Sequence, residues 1–243
     1  MFGEENYMSL KYVFFDLDGT LLPMEQEIFI KKYFGLMAKK LLPYGYESEK
    51  FVRSIWKCTE MMVRNNGPKT NEEVFWDNFV AIHGEKANAD KWVLDEFYRN
   101  EFLEVQSVLP CDPDAVRAVK KIKEMGLRTV LATNPLFPSI ATEHRIRWAG
   151  FDLDDFEFFT TYENSRSCKP NLKYYLEVLE RAGARPEESL MVGNDVQEDM
   201  VAEKLGMKVF LLPKLLINRD GTDISAYPHG NFDDLIEYIE RIR

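Results

Sequence analysis

Residues Tyr12 to Leu22, with the sequence YVFFDLDGTLL, decide the fold of this chain. The segment opens with four consecutive apolar residues, a pattern typical of a central strand in a parallel sheet that is covered on both faces. Asp16 and Asp18 follow, and the alternation of an extended chain places their carboxylates on the same side. Gly19 then allows a sharp turn. Because parallel sheets carry function at the carboxyl ends of their strands, Asp16 and Asp18 are the first candidate site residues.

Two carboxylates this close together repel each other when both are ionised. Either one of them takes up a proton, which gives an acid beside a base, or a cation such as Mg2+ lies between them and keeps both charged. The letters D-x-D-G also occur in solvent-exposed turns, but the apolar strand in front of them favours a buried strand end.

The composition is typical of a globular protein, because 45% of the 243 residues are hydrophobic and 30% are charged. The formal net charge is -10 and there is no sustained basic run, which argues against nucleic acid or an anionic membrane as the main partner. The first twelve residues, MFGEENYMSLKY, lack the basic and apolar segments of a signal peptide, and no apolar run is long enough to span a bilayer. We therefore expect a cytoplasmic protein. The three cysteines and three histidines are widely spaced and indicate neither a disulfide framework nor a zinc site.

Residues from about 24 to 105 show helical periodicity, with breaks at Pro43, Gly67-Pro68 and Gly84. The predicted helices cover 25–41, 47–65, 71–83 and 89–103. Their stripe of methionine and aromatic residues is interpreted as the core of a helical bundle.

From Val108 onward helices and strands alternate, which predicts a doubly wound parallel sheet. The α/β core would therefore be interrupted by a helical insertion directly after its first strand, where the insertion could act as a lid over the two acids. The predicted strands after the insertion are 127–133, 156–162, 189–194 and 208–212, and the predicted helices are 113–126, 137–149, 170–182, 197–205 and 232–242.

Further polar groups stand where the later strands should end. Because the carboxyl ends of parallel strands meet at one edge, these groups should converge on Asp16 in a single crevice. Taken singly, each has an ordinary explanation as a strand end, a surface lysine or a helix start. Together they suit phosphoryl transfer, since a carboxylate attacks phosphorus while Mg2+, an ammonium and a hydroxyl stabilise the phosphate charge. The groups are Thr133 with Asn134, Lys169, and Gly193-Asn194-Asp195 with Asp199.

Four segments resemble the motifs of the haloacid dehalogenase-like (HAD) superfamily of phosphohydrolases. They are FFDLDGTLL, LATN, the Lys169 segment SCKPN, and VGNDVQEDM. The resemblance extends over essentially the whole chain and implies a Rossmann-like core at 1–21 and 107–243, with an all-helical cap at 22–106.

The resemblance also implies roles for individual residues. Asp16 would be the nucleophile that forms an aspartyl-phosphate, and Asp18 the acid that protonates the leaving oxygen and then activates water. Thr133, Asn134 and Lys169 would bind the phosphate. Mg2+ would be held by the Asp16 carboxylate, the Asp18 backbone carbonyl and an acid of the fourth motif.

The fourth motif departs from the family pattern, because Asn194 follows Gly193 where the family usually has Asp. We assign the metal to Asp195, with Asp199 acting through water or through the other ligands. The amide oxygen of Asn194 could hold the metal in place of Asp195.

The leading function is a Mg2+-dependent phosphatase acting on a small phosphorylated metabolite. A 2-haloacid dehalogenase is the nearest alternative. A departing halide needs no proton, however, so Asp18 would have no role in that reaction. The motifs are also compatible with a mutase, with a phosphonate hydrolase that uses a cap lysine, and with a phosphate-switched signalling module. Substrate and oligomeric state stay open. The lysines considered are Lys31, Lys39, Lys57 and Lys69, and the loop from Arg64 to Lys69 is a candidate for substrate selection.

Overall fold

The computed structural model describes residues 9–243 and contains a four-stranded parallel sheet. The sheet order is β2-β1-β3-β4, so the strand from the first motif is central. This arrangement confirms the predicted α/β class with a Rossmann-like parallel sheet. The strands are β1 Tyr12–Phe15, β2 Arg128–Leu131, β3 Ser189–Gly193 and β4 Lys208–Leu211.

The register of β1 explains why the motifs meet. Phe15 is paired with Leu131 of β2 and with Val192 of β3, so the three strands end at the same level. Beyond these pairs, the Asp16 N–H donates to the Val192 carbonyl at 2.9 Å. All four residues of β1 are buried, with alternate side chains packing into the hydrophobic clusters on opposite faces of the sheet. The first acid of the motif is therefore fixed by backbone bonds at the sheet edge.

A helical insertion follows β1, and we use this name for the helices α1 to α5 with the 3-10 helices among them. A Thr70–Glu73 capping box begins α3. The predicted helix 89–103 is divided, because Asn100 leaves helical geometry at φ -120° and its side chain binds the Glu96 carbonyl. The division into core and cap at 22 and 106 stays a prediction. The helices are α1 Gln26–Leu41, α2 Ser48–Val63, α3 Asn71–His83, α4 Lys86–Ala89 and α5 Lys91–Arg99, and the 3-10 helices are Leu42–Tyr44 and Glu101–Val108.

Four further α-helices pack around the sheet. Asp112 caps the first of them and Asn171 the third, each through a side-chain oxygen that accepts a backbone N–H of the first turn. None of the helices that the structure describes between residues 9 and 243 is both long enough and apolar enough to cross a membrane. The four are α6 Pro113–Glu124, α7 Ser139–Trp148, α8 Leu172–Ala182 and α9 Phe232–Ile242.

Two predicted elements were wrong. The segment 156–162 is not a regular strand, although Glu157, Phe158 and Thr160 form backbone hydrogen bonds with Thr129 and Leu131 at the edge of β2. Beyond them, the Thr161 N–H donates to the Asn164 side chain. The segment 197–205 contains the 3-10 helix Met200–Leu205 instead of an α-helix. There the Asp195 side chain accepts the first two N–H groups, from Gln197 and Glu198, in place of a helical carbonyl.

Candidate active site

The carboxyl edge of the sheet and the helical insertion enclose a cavity of about 340 Å³. Its floor is formed by side chains that follow β1, β2 and β3, as the parallel register requires. Seven candidate residues from the sequence line it: Asp16, Asp18, Thr133, Asn134, Asn194, Asp195 and Asp199. Lys169 lies beneath them and contacts Asp16 and Asp199.

Lys169 lies at the centre of the acidic floor. Its Nζ donates to Asp16 Oδ1 at 2.9 Å and to Asp199 Oδ1 at 2.7 Å. The lysine and Asp199 side chains are each 1% exposed, so the three charges interact with little screening by water. Although burial opposes a charged ammonium, Asp16 and Asp199 raise the pKa of Lys169 well above its usual value. Lys169 therefore stays protonated and orients the Asp16 carboxylate.

The second oxygen of Asp16 is oriented from the opposite side. Thr20 Oγ1 lies 3.2 Å from Asp16 Oδ2 and 3.0 Å from Asn194 Oδ1. Asn194 in turn donates to the Leu215 carbonyl at 2.6 Å. A Cβ at Gly19 would come within 2.4 Å of Asn194 Nδ2, and Gly19 has φ +87°, so this close approach requires glycine. Both Asp16 oxygens thus have a hydrogen-bond donor within reach, although Asp16 shares the Thr20 proton with Asn194.

Asp199 is fixed in the same way. Its Oδ2 accepts the Asp195 N–H at 3.0 Å while its Oδ1 accepts from Lys169. A Cβ at Gly193 would come within 2.0 Å of Asp199 Oδ2, so the glycine of the fourth motif makes room for this carboxylate. Burial raises the pKa of Asp199 to about 7, with the Asp16 charge adding to the increase and Lys169 opposing it. One ammonium thus serves two carboxyl groups, and the two compete for its charge.

Asp18 has a partner that the sequence did not predict. Arg145 of α7 donates to Asp18 Oδ2, and its side chain is fully buried, with the guanidinium 4.3 Å from the ring centre of Phe137. Burial raises the pKa of Asp18, Asp16 adds to the increase, and Arg145 opposes it. Among the described residues, Asp18 Oδ1 is buried without a hydrogen-bond partner. A carboxyl group with these surroundings can hold a proton next to the Asp16 carboxylate.

A second unpredicted partner lies at the fourth motif. Arg219, in the loop after β4, forms ion pairs with Asp195 at 2.8 Å and with Glu198 at 3.3 Å. Glu198 also accepts from Asn134 Nδ2 at 2.9 Å, which links the ends of β2 and β3. Asp195 Oδ1 accepts the backbone N–H groups of Gln197 and Glu198, in the turn before the 3-10 helix. No described group of three or more His, Cys, Asp or Glu side chains is arranged to hold a metal ion.

The roof of the cavity is mostly apolar, with Gln26, Thr59 and Asp95 as its polar exceptions. Side chains from α1, α2, α3 and α5 form it, and none of the four candidate cap lysines is among them. Lys69, for example, is exposed and pairs with Asp77 at 2.5 Å. Of the loop between Arg64 and Lys69, no residue lines the cavity in the part of the chain that the structure describes. The roof includes Phe29, Ile30, Tyr33, Phe34, Trp56, Phe75, Trp76 and Tyr98.

Known proteins resemble this chain in sequence and in fold. A model of the haloacid dehalogenase-like hydrolases matches residues 10–204. A ribulose-1,5-bisphosphate 5-phosphatase from Halopiger xanaduensis is 24% identical over 205 residues, which are 82% of this chain and 83% of that protein. A 2-haloacid dehalogenase structure from Pseudomonas syringae has a TM-score of 0.64 at 19% identity and covers 96% of this chain and 100% of its own. A HAD hydrolase from Bacillus subtilis, solved with bound magnesium, has a TM-score of 0.58 at 16% identity and covers 96% and 99%. The structural likenesses show the fold alone.

Proposed function

Because the chain belongs to the haloacid dehalogenase-like hydrolases, we propose that it is a Mg2+-dependent phosphatase that hydrolyses a small phosphorylated metabolite through an aspartyl-phosphate. One observation carries this choice within the family. Asp18, a carboxyl group whose pKa burial raises, lines the same cavity as the Lys169-bound carboxylate of Asp16. An acid in that position serves an alkoxide leaving group, which must be protonated, whereas a halide leaves as a stable anion.

In the first step, an Asp16 oxygen attacks phosphorus and the bond from phosphorus to the substrate oxygen breaks. The departing alcohol oxygen takes the proton of Asp18. In the second step, water attacks phosphorus and returns a proton to Asp18, the acyl-phosphate bond breaks, and inorganic phosphate leaves. Asp16 is then a carboxylate again and Asp18 is protonated, so the site is ready for another cycle.

Thr133, Asn134 and Lys169 are proposed to bind the transferring phosphate. Thr133 and Asn134 line the cavity at the end of β2, and Lys169 brings the one buried ammonium among the described residues to Asp16. An ammonium in a site sheltered from water stabilises the additional negative charge of the pentacoordinate phosphorus more strongly than it would in bulk solvent.

The metal would be held by the Asp16 carboxylate, the Asp18 backbone carbonyl and Asp195. The donor set fits the ion, because Mg2+ prefers oxygen ligands and usually retains several waters, so two carboxylates are sufficient protein ligands. Asp16 and Asp195 line one cavity, which supports their assignment. Asp199 instead binds Lys169 and the Asp195 N–H, which supports a role in positioning both. Asn194 Oδ1 and Asp16 Oδ2 both lie within reach of the single Thr20 hydroxyl proton, which places Asn194 beside Asp16 at the rim of the site. When bound, Mg2+ would neutralise phosphate charge.

The test is hydrolysis of 4-nitrophenyl phosphate after treatment with EDTA, with and without added Mg2+. Multiple turnovers that need Mg2+ and disappear in Asp16→Asn support the proposal. A phosphorylated peptide containing Asp16, found by mass spectrometry after acid quenching of wild type and not of Asp16→Asn, supports the intermediate. Chloride release from a 2-haloacid without phosphatase activity would instead assign a dehalogenase, and one stable phosphorylation without turnover would assign a switch.

A further inference from the structure

The cavity above Asp16 differs in character between its floor and its roof. The floor carries charged and polar groups, whereas the roof is formed by large aromatic and aliphatic side chains of the helical insertion. In a phosphatase that uses Asp16, the phosphate occupies the floor, so the roof contacts the alcohol part of the ester. The side chains of the roof therefore influence which alcohol the cavity binds.

Positive charge is scarce around the cavity. Among residues 9–243, Arg219 is the single cationic side chain that lines the cavity. Its two terminal nitrogens already form ion pairs, one with Asp195 and the other with Glu198. The other cations near the floor are similarly engaged, Lys169 by two carboxylates and Arg145 by Asp18. Asp95, in the roof, adds a further carboxylate that forms no ion pair within the described chain. A second phosphate on the substrate would meet net negative charge and no free cation.

The tyrosine hydroxyls of the roof are directed at each other, and Gln26, Thr59 and Asp95 are its remaining polar side chains. The hydroxyls of Tyr33 and Tyr98 lie 2.7 Å apart and hydrogen-bond to each other. Phe34 and Trp56, whose ring centres are 5.4 Å apart, present apolar rings beside them. A volume of about 340 Å³ is at the lower end of the range for small-molecule sites and has room for a ring-sized group.

We infer that this cavity selects monophosphate esters of apolar, ring-sized alcohols and disfavours substrates with a second phosphate. The inference rests on the proposed phosphatase function and names its substrate class. It separates this chain from its relative, whose name specifies a bisphosphate substrate. The physical basis is that burying a ring against the roof is favourable, while a second dianion would be desolvated without a counter-charge.

The test compares alkyl phosphates whose alcohols have similar acidity, so that leaving-group chemistry does not decide the result. We expect kcat/KM for benzyl phosphate to exceed that for glycerol 3-phosphate by at least about tenfold, the lower end of what an apolar pocket gains from one additional buried group. A sugar bisphosphate should be the poorest of the three. Equal rates, or a preference for the bisphosphate, would overturn the inference and leave the phosphatase proposal intact.

Trp56 allows a matched pair of variants. It lines the cavity and is 48% exposed, while Trp92 is 52% exposed, packs on Tyr44 and lies outside the lining. Trp56→Ala should bring the benzyl to glycerol ratio close to one, and Trp92→Ala should keep the wild-type ratio. The same change of ratio in both variants would contradict a role for the roof.

A binding measurement separates the two proposals if no phosphate ester is hydrolysed. Benzylphosphonate should quench the fluorescence of Trp56 and Trp76 in wild-type protein and bind at least about tenfold more tightly than methylphosphonate. That result without any turnover would remove the phosphatase proposal and retain the apolar selectivity of the cavity. Equal affinities would remove the selectivity.

Discussion

Arg145 donates a hydrogen bond to Asp18 from a fully buried position in α7, 127 residues further along the chain. This ion pair connects the buried guanidinium of Arg145 with Asp18, the proposed acid of the reaction. Arg145 opposes the rise in the pKa of Asp18 that burial causes. It is therefore a positioning residue that acts on how readily Asp18 gives up its proton.

Replacing Arg145 by methionine should shift the pH dependence of the enzyme. Without the guanidinium, the pKa of Asp18 rises further, so the carboxyl keeps its proton to higher pH. The alkaline limb of the kcat profile should move upward, while kcat falls by on the order of 10- to 100-fold because Asp18 is less well oriented. Arg145→Lys, which keeps the charge, should restore the wild-type limb. An unchanged limb in Arg145→Met would show that Asp18 does not set it.

Asp18→Asn should cost both activity and stability. Loss of proton transfer lowers kcat by about 10²- to 10⁴-fold. The substitution also leaves the buried Arg145 without its carboxylate, a loss worth about 3–5 kcal/mol of unfolding free energy when one partner of a buried ion pair is removed. Urea denaturation measures the second effect. Adding Arg145→Met to Asp18→Asn should recover stability without recovering activity, and a double variant no more stable than Asp18→Asn would contradict the pairing.

Lys169→Met should destabilise the protein by a similar amount, about 3–5 kcal/mol, because Asp16 and Asp199 then face each other without a cation. Binding of inorganic phosphate, measured by calorimetry, should fall below detection. Asp199→Asn placed on the Lys169→Met background removes one of the two opposed charges and should recover part of the stability, with phosphate binding still lost. Wild-type phosphate affinity in Lys169→Met would show that the lysine does not bind phosphate and has only a structural role.

The sequence was sufficient to predict the centre of the site, for a physical reason. A run of four apolar residues can be a strand of a parallel sheet only if it is covered on both faces, and parallel strands end at one edge. Asp16, Thr133 and Asp195 therefore had to meet once the strands before them were identified. The argument failed at the edge of the sheet, where 156–162 forms a few backbone hydrogen bonds with β2 without becoming a regular strand.

The two arginines that pair with the acids of the site could not be predicted from the sequence. Arg219 lies in an irregular loop, and its contact with Asp195 depends on where that loop crosses the sheet edge. Burial of Arg145 could have been predicted from helical spacing, since it occupies the same face of α7 as the buried Ala141, Thr142 and Trp148. The aromatic stripe of the insertion predicts a bundle core, and Phe29 and Tyr33 are indeed buried, yet they also line the cavity. Periodicity identifies a buried face without saying whether protein or ligand covers it.

Arg219→Gln should strengthen Mg2+ binding. The guanidinium and the metal compete for the Asp195 carboxylate, so removal of the arginine charge favours the ion. Because Arg219 is 49% exposed and screened by water, we expect a modest decrease of the dissociation constant, about two- to fivefold. Calorimetric titration of the metal-free protein with Mg2+ measures it without turnover. Arg241→Gln, an exposed site in α9, is the charge-matched control. Weaker binding in Arg219→Gln would mean that the arginine supports the metal site.

The pH dependence of stability should contain a contribution from Glu188, which joins the starts of β1 and β3. Hydrogen bonds from Lys11 and Arg185 lower the pKa of Glu188 from 4.5 to about 2. A carboxyl group with a lowered folded pKa adds stability that is complete above its unfolded value and is lost as pH falls through its folded value. The difference in unfolding free energy between wild type and Glu188→Gln should thus be constant above pH 4.5 and shrink toward pH 2. Urea denaturation across this range measures it, with the exposed neighbour Glu187→Gln as control. A difference independent of pH would exclude the two ion pairs as its source, since a neutral packing effect does not titrate.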